Sequence, residues 1–178
     1  MNEFDFALVA TCDIQIDTDT IAQIADALFE AGCDDCTVMS RNQTLIIEFD
    51  REAESYERAV VTAIRDVHSV DGMKVLSVDA GDYVGLSDAA ELSELSRSTL
   101  SKFSKGDRGD GTFPSPYLRV TGKAPLYDWS EISKWLADKG HAESELAENA
   151  SVTSKINLAL KLKNGDFEEI QILMSELA

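Results

Sequence analysis

Six basic side chains between residues 97 and 123 carry the clearest chemical signal in this sequence. They stand beside only two acids, Asp107 and Asp110, although the 178-residue chain has a formal net charge of −17. Hydroxyl-bearing residues are interleaved with the first of these bases. Guanidinium and ammonium groups bind phosphates, and hydroxyls can bond to phosphates or base edges. This combination predicts contact with a polyanion, and the six bases are Arg97, Lys102, Lys105, Arg108, Arg119 and Lys123.

The charges are distributed unevenly along the chain. Residues 1–80 hold 17 acids and 5 bases, a net charge of −12, and residues 141–178 hold 7 acids and 3 bases, a net charge of −4. Residues 81–140 hold 9 acids and 8 bases, a net charge of −1, and therefore half of all the positive charge. Because like charges repel, we expect the acidic remainder to suppress non-specific binding to nucleic acid.

The other chemically active residues form no catalytic or metal-binding set. Cys33 and Cys36 have the spacing of a redox or zinc half-site, but the only two histidines, His68 and His141, show no paired spacing. Acidic neighbours are expected to raise the pKa of these thiols. The glycine-rich run at 106–111 lacks the acid spacing of a calcium loop and the helix of a phosphate loop. We therefore predict no enzyme activity, no cofactor and no metal.

Periodicity predicts an α+β protein, whose first 80 residues form a ferredoxin-like βαββαβ unit. Such a unit packs two helices on one face of a four-stranded antiparallel sheet. An RNA-binding version would expose aromatic and basic residues on its middle strands, and these strands offer neither. The predicted elements are strands around Phe4–Ala10, Thr37–Met39, Leu45–Phe49 and Lys74–Val78, with helices after Asp17–Asp19 and from Tyr56 to Val67.

A hinge at Ala80-Gly81-Asp82 is expected to lead into two short helices joined by a tight turn. Ser87 is expected to cap the first helix, Asp88–Glu94, and Ser96 the second, because a side-chain oxygen can accept the free N–H groups of a first turn. Leu100 and Phe103 would anchor the second helix. A small residue between the helices allows them to cross closely, as a helix-turn-helix requires.

A β-wing and a closing helix are expected to follow the glycine-rich loop. Tyr117–Val120 and Leu126–Tyr127 predict two short strands, and Asp128 begins a helix whose tryptophans, Trp129 and Trp135, complete a small core. Residues 142–178 predict a helical tail, with a β-hairpin around Asn164-Gly165 as the alternative. The expected domains are therefore 1–80, 83–139 and 142–178.

Four segments in this order resemble the winged helix-turn-helix of the MerR and phage-excisionase group of bacterial DNA-binding regulators. The resemblance implies sequence-specific binding to double-stranded DNA. The long dimerising coiled coil and the metal-sensing cysteines of MerR regulators are absent, so no metal-sensing role is implied. The segments are L-S-D-A-A-E-L from Leu86, S-R-S-T-L-S-K-F from Ser96, G-D-G-T-F-P-S-P from Gly109, and L-Y-D-W-S-E-I-S-K-W-L from Leu126.

In a helix-turn-helix the second helix enters the major groove, and its exposed side chains meet base edges. Arg97, Ser98, Ser101 and Lys102 would form that face, with Thr99 and Lys105 beside it. Arg108, Arg119 and Lys123, in the loop and the wing, would hold the DNA backbone. One small module rarely holds a site alone, so we expect a homodimer.

Several alternatives remain open at this stage. The protein could be an autoregulating antitoxin or adaptor whose acidic domain or C-terminal helices bind a partner protein. It could also be an excisionase-like architectural factor, or a ligand sensor built on the N-terminal unit. No apolar run approaches the roughly 20 residues that cross a bilayer, and no export signal is evident. We therefore expect a cytoplasmic protein without a membrane partner.

Overall fold

The computed structural model describes residues 1–79, 81–165 and 167–177, and these belong to the predicted α+β class. Within them lie seven helices, one four-stranded antiparallel sheet and one two-stranded sheet. The elements are β1 (Asn2–Cys12), α1 (Thr18–Glu30), β2 (Cys36–Arg41), β3 (Thr44–Ala53), α2 (Tyr56–Ser69), β4 (Met73–Val78), β5 (Tyr83–Val84), α3 (Leu86–Leu92), α4 (Arg97–Ser104), β6 (Tyr127–Asp128), α5 (Trp129–Asp138), α6 (Ser144–Asn164) and α7 (Phe167–Glu176).

The chain separates into two compact units. Unit 1 comprises Met1–Asp79 and Lys155–Ala178, and unit 2 comprises Ala80–Ser154, so the division falls within α6. Ala80, part of the expected hinge, lies outside the described residues. No helix in the described part of the chain is long and apolar enough to span a bilayer.

The sheet of unit 1 has the strand order β2-β3-β1-β4, and all its neighbouring strands are antiparallel. Leu8 of β1 and Ile47 of β3 pair on one face and are fully buried, because every second residue of a strand points to the same side. Leu28 of α1 and Val67 of α2 belong to the same core. The predicted four-stranded antiparallel sheet is confirmed.

Helix α6 covers the edge strand of this sheet. The buried side chain of Asn157 accepts a hydrogen bond from the N–H of Val78 at 2.7 Å and donates one to its carbonyl at 3.1 Å. Leu160 is buried in the core while Leu158 is exposed, which is helical and not strand periodicity. The helical prediction for the tail is therefore confirmed, and the hairpin alternative is wrong.

A buried arginine of β3 joins helix α2 and the loop between α1 and β2, and no sequence pattern indicated it. Arg51 of β3 is only 7% exposed; its Nε lies 2.7 Å from Asp35 and its Nη1 lies 2.7 Å from Asp66. Its Nη2 also donates to the carbonyl of Gly32 at 3.1 Å. Burial disfavours the charge, but the bonds to both carboxylates outweigh it and raise the pKa of Arg51 above its usual range.

In unit 2 the first helix of the expected pair begins earlier than predicted. The N-cap is Gly85 and not Ser87, because the carboxylate of Asp88 turns back to accept the Gly85 N–H at 3.0 Å. The helix also ends at Leu92 and not at Glu94, whose φ of +56° is left-handed and breaks the helix.

The predicted wing strands are wrong in extent. Leu118 and Leu126 form one isolated bridge, because the chain turns directly afterwards: Arg119 has a φ of +53°, and Gly122 donates its N–H to the Arg119 carbonyl at 2.8 Å. Tyr127 pairs instead with β5, in a two-stranded sheet that the sequence pattern did not indicate.

The predicted core of unit 2 is present. Both tryptophans are buried, and the Trp135 ring meets the Phe103 ring edge to face, with centroids 5.0 Å apart. Phe113 from the loop completes the cluster, with its centroid 5.1 Å from that of Trp135. The closing helix α5 thus holds α4 and the glycine-rich loop against one core.

Candidate nucleic-acid interface

Helix α4 has one buried and one exposed face. Leu100 and Phe103 are almost completely buried, so the residues between them and at the helix start point to solvent. The hydroxyl of Ser96 accepts the N–H of Thr99 at 3.1 Å and caps the helix as predicted. The cap fixes where the exposed face begins.

Five of the nine predicted contact residues surround one shallow depression on this face. Its volume is about 380 Å³, and the surrounding side chains come from α4 and the turn after it. The carboxylate of Asp107 is the one acid among the residues that line it. The depression is lined by Arg97, Ser98, Ser101, Lys102, Lys105 and Asp107.

Thr99 does not line the depression. Its hydroxyl lies 2.9 Å from that of Ser96, within the helix cap. The structure therefore gives Thr99 a role in holding the first turn of α4.

The turn after α4 is anchored to the helix. The N–H groups of Asp107 and Arg108 both donate to the carbonyl of Lys102, at 2.9 and 3.2 Å. The Arg108 guanidinium lies 5.3 Å from the centroid of the Phe103 ring, a cation–π distance. Arg108 is nonetheless exposed, so its charge is held beside the helix end and remains accessible.

The glycine-rich loop is held in place by a chain of polar contacts. Lys139, the C-cap of α5, lies 2.5 Å from a carboxylate oxygen of Asp110, and the Thr112 hydroxyl donates to the same carboxylate at 2.6 Å. The indole N–H of Trp135 donates to the Thr112 hydroxyl at 2.9 Å. The bonds from Lys139 and Thr112 lower the pKa of Asp110 below its usual range. One of the two acids beside the six bases is therefore already paired.

The two wing bases lie on the tight turn. Arg119 and Lys123 are both exposed. Large apolar residues accompany them: Tyr117 is 62% exposed and Val120 is 59% exposed. The Tyr117 ring stacks on Tyr83, with centroids 5.2 Å apart. Sequence reasoning missed this apolar surface, although its residues stood within the predicted wing.

The six bases keep their charges available. Among the described residues, none of the six bases forms an ion pair with a carboxylate, unlike Arg51 and Lys139. Unit 2 therefore presents bases on α4, on the following loop and on the wing.

Other chemically active groups of unit 1 do not form a comparable site. The thiols of Cys33 and Cys36 are hydrogen-bonded to each other. This bond and burial raise the pKa of Cys33, whereas the same bond lowers the pKa of Cys36 against the opposing effect of burial. The expectation that both values rise is therefore wrong for Cys36, because this hydrogen bond outweighs its acidic neighbours. Across the described ranges, no three potential ligands stand together as a metal would require.

Two surface features of unit 1 bear on the alternatives. A cavity of about 250 Å³ is lined by apolar residues such as Ile24 and Met73, with Asp13 and Asp71 also in its lining. On the sheet, Asp5 of β1 stands directly opposite Asp50 of β3. A hydrogen bond that protonated Asp50 donates to Asp5, together with the repulsion between the two carboxylates, raises the pKa of Asp50, so the two carboxyl groups are close.

Compared with protein-family models, with curated proteins and with solved structures, the chain gives no match.

Proposed function

We propose that this protein binds double-stranded DNA in a sequence-dependent manner, as a transcriptional regulator of bacterial or phage type. Residues 83–139 act as a winged helix-turn-helix of the MerR and excisionase kind. Residues 1–80 form a ferredoxin-like domain, and residues 142–178 a helical tail. The protein acts as a cytoplasmic homodimer on paired half-sites.

The observation that carries the proposal is the solvent-facing depression on α4. It gathers three bases and two hydroxyl residues on the face opposite the buried Leu100 and Phe103. An ordinary solvated helix face mixes acids and bases. The exposed side of α4 instead has no acid within the helix itself.

The arrangement suits major-groove recognition. Arg97 is the first residue of α4, and the N-terminal residues of a recognition helix are the ones that reach base edges. Its guanidinium can bind the O6 and N7 atoms of guanine together. Ser98 and Ser101 can donate to or accept from bases, while Lys102 and Lys105 meet phosphates. These phosphate contacts set the register, and Arg97 supplies the sequence preference.

Selection of duplexes from a random pool, followed by fluorescence anisotropy on the enriched sequence, tests the proposal. Arg97→Ala should cost about 1–3 kcal/mol on that sequence and relax the preference at one base pair. Arg65→Ala removes an exposed base from unit 1 and serves as the matched control. A pool without enrichment, or an Arg97→Ala variant indistinguishable from the control, would contradict the proposal.

The adaptor or antitoxin function remains a second candidate because of the acids on the sheet. Like charges directly opposite one another destabilise an antiparallel pair, and Asp5 faces Asp50 while Glu3 faces Glu52. A basic partner protein would relieve this repulsion. Expression of the chain with its native operon tests this candidate, because a second, basic protein should copurify in fixed stoichiometry. The Asp5→Asn/Asp50→Asn variant should lose that partner.

A further inference from the structure

Helix α7 has an apolar stripe that the other described residues leave largely uncovered. Phe167, Ile170, Leu173 and Met174 follow helical spacing on one side, and no described residue of α7 is buried. Leu173 is 50% exposed and Met174 is 63% exposed. Helices of soluble proteins normally bury such a stripe against another surface.

The charged residues of α7 are all acidic. Glu168 and Glu176 belong to this helix, and it contains no base. Pairing of α7 with another α7 would bring these like charges together. A surface that covers the stripe should therefore be apolar with a basic border.

The wing of unit 2 is such a surface. Tyr117, Leu118 and Val120 are large apolar residues that are at least 40% exposed. Arg119 and Lys123 lie between and beside them and are exposed. The wing thus offers the apolar area and the positive charge that α7 lacks.

We propose that two copies of this chain associate through α7 of one copy and the wing of the other. A ten-residue helix alone covers less than the roughly 800 Å² per partner of a standard interface. A reciprocal exchange, in which each copy supplies both surfaces, doubles the covered area and closes the assembly as a dimer.

The proposal also assigns a regulatory consequence. Arg119 and Lys123 cannot contact an α7 helix and a DNA backbone at once, so this α7–wing dimer is a resting form, distinct from the homodimer that occupies paired half-sites, and it binds DNA less well. This consequence rests on the proposed DNA-binding function, whereas the association itself does not.

Sedimentation equilibrium of the full chain without DNA tests the association. Leu173→Glu should weaken dimerisation about tenfold or more, because it removes one buried leucine-sized contact. Ser175→Glu adds the same charge to the opposite side of α7 and should leave dimerisation unchanged. In the wing, Val120→Asp should weaken dimerisation as strongly as Leu173→Glu does. The adjacent Thr121→Asp adds the same charge and should have less than half of that effect.

Charge reversal tests the pairing itself. Lys123→Glu and Glu176→Lys should each weaken dimerisation, and the double variant should recover most of the loss. A monomer at all concentrations would overturn the proposal, and so would a dimer indifferent to Val120→Asp, which would indicate an α7–α7 contact.

Competition with a mixed-sequence duplex separates the two proposals. Added duplex should displace α7 from the wing, and Leu173→Glu should bind the duplex more tightly than the parent chain. If the chain dimerises through these residues but binds no DNA, the proposed function fails and this inference stands. If it binds DNA and Leu173→Glu changes neither property, the inference fails alone.

Discussion

The number of exposed bases in unit 2 sets the salt dependence of DNA binding. When Arg97 is reserved for a base edge, five bases remain for phosphates: Lys102, Lys105, Arg108, Arg119 and Lys123. Each neutralised phosphate contributes about −0.9 to the slope of log K against log salt concentration, so the limiting slope is roughly −4.5 for each bound protomer. The affinity of one protomer should then fall about 500-fold between about 50 and 200 mM salt. The acids of unit 1 oppose binding and make the measured slope shallower.

Removal of one phosphate contact should change the slope by a calculable step. Lys102→Ala is expected to reduce it by about 0.9, and the fall over the same salt range should become about 150-fold. Lys102→Ala/Lys123→Ala should reduce it by about twice as much. These steps follow because neither lysine is paired with a carboxylate among the described residues.

Fluorescence anisotropy with a labelled mixed-sequence duplex, titrated at several salt concentrations, measures these slopes. Arg65→Ala removes an exposed charge from unit 1 and should leave the slope unchanged. Lys139→Ala is a second control, because Lys139 is already paired with Asp110. A slope near zero for the parent chain, or equal slopes for Lys102→Ala and Arg65→Ala, would refute the assignment of these bases to phosphate contacts.

Three further predictions concern unit 1 and are measured by denaturant unfolding. Arg51→Ala should reduce the free energy of unfolding by about 3–5 kcal/mol, because it leaves two carboxylates without their shared partner; the exposed Arg58→Ala should change it little. Asn157→Ala should reduce the free energy of unfolding by about 1–3 kcal/mol, because the N–H and the carbonyl of Val78 both lose a hydrogen bond. Leu158→Ala, at an exposed position of the same helix, should change it little. Burial, Lys163 and Lys74 lower the pKa of His68, so the imidazole binds a proton more readily in the unfolded chain than in the folded one. The free energy of unfolding should therefore fall as the pH drops through the ordinary histidine pKa of about 6.5. His68→Gln should remove this part of the pH dependence. Equal pH profiles for His68→Gln and the parent chain would contradict the last of these.

Local rules predicted the regular elements well. The two-residue period of β1 and β3 predicted the sheet, and Ser96 predicted the start of α4. Each of these features depends on residues within about four positions of one another, where propensity and capping act. The same rules placed the start of α3 too late. Its N-cap is Gly85, whose N–H donates to the carboxylate of Asp88, and not Ser87. They also overextended the wing strands.

The sequence by itself determined where the bases lie along the chain, which residues form helices and strands, and which face of α4 is apolar. Only the tertiary structure decided which residues of these elements contact one another. Arg51 contacts Asp66, 15 residues away in the sequence; Lys139 contacts Asp110, 29 residues away; and Asn157 contacts Val78, 79 residues away. Such contacts depend on how whole helices and strands pack, so no local sequence pattern predicts them. The exposure of the wing and the exposure of the α7 stripe were likewise decided by the fold, because burial depends on every neighbour that an element gains.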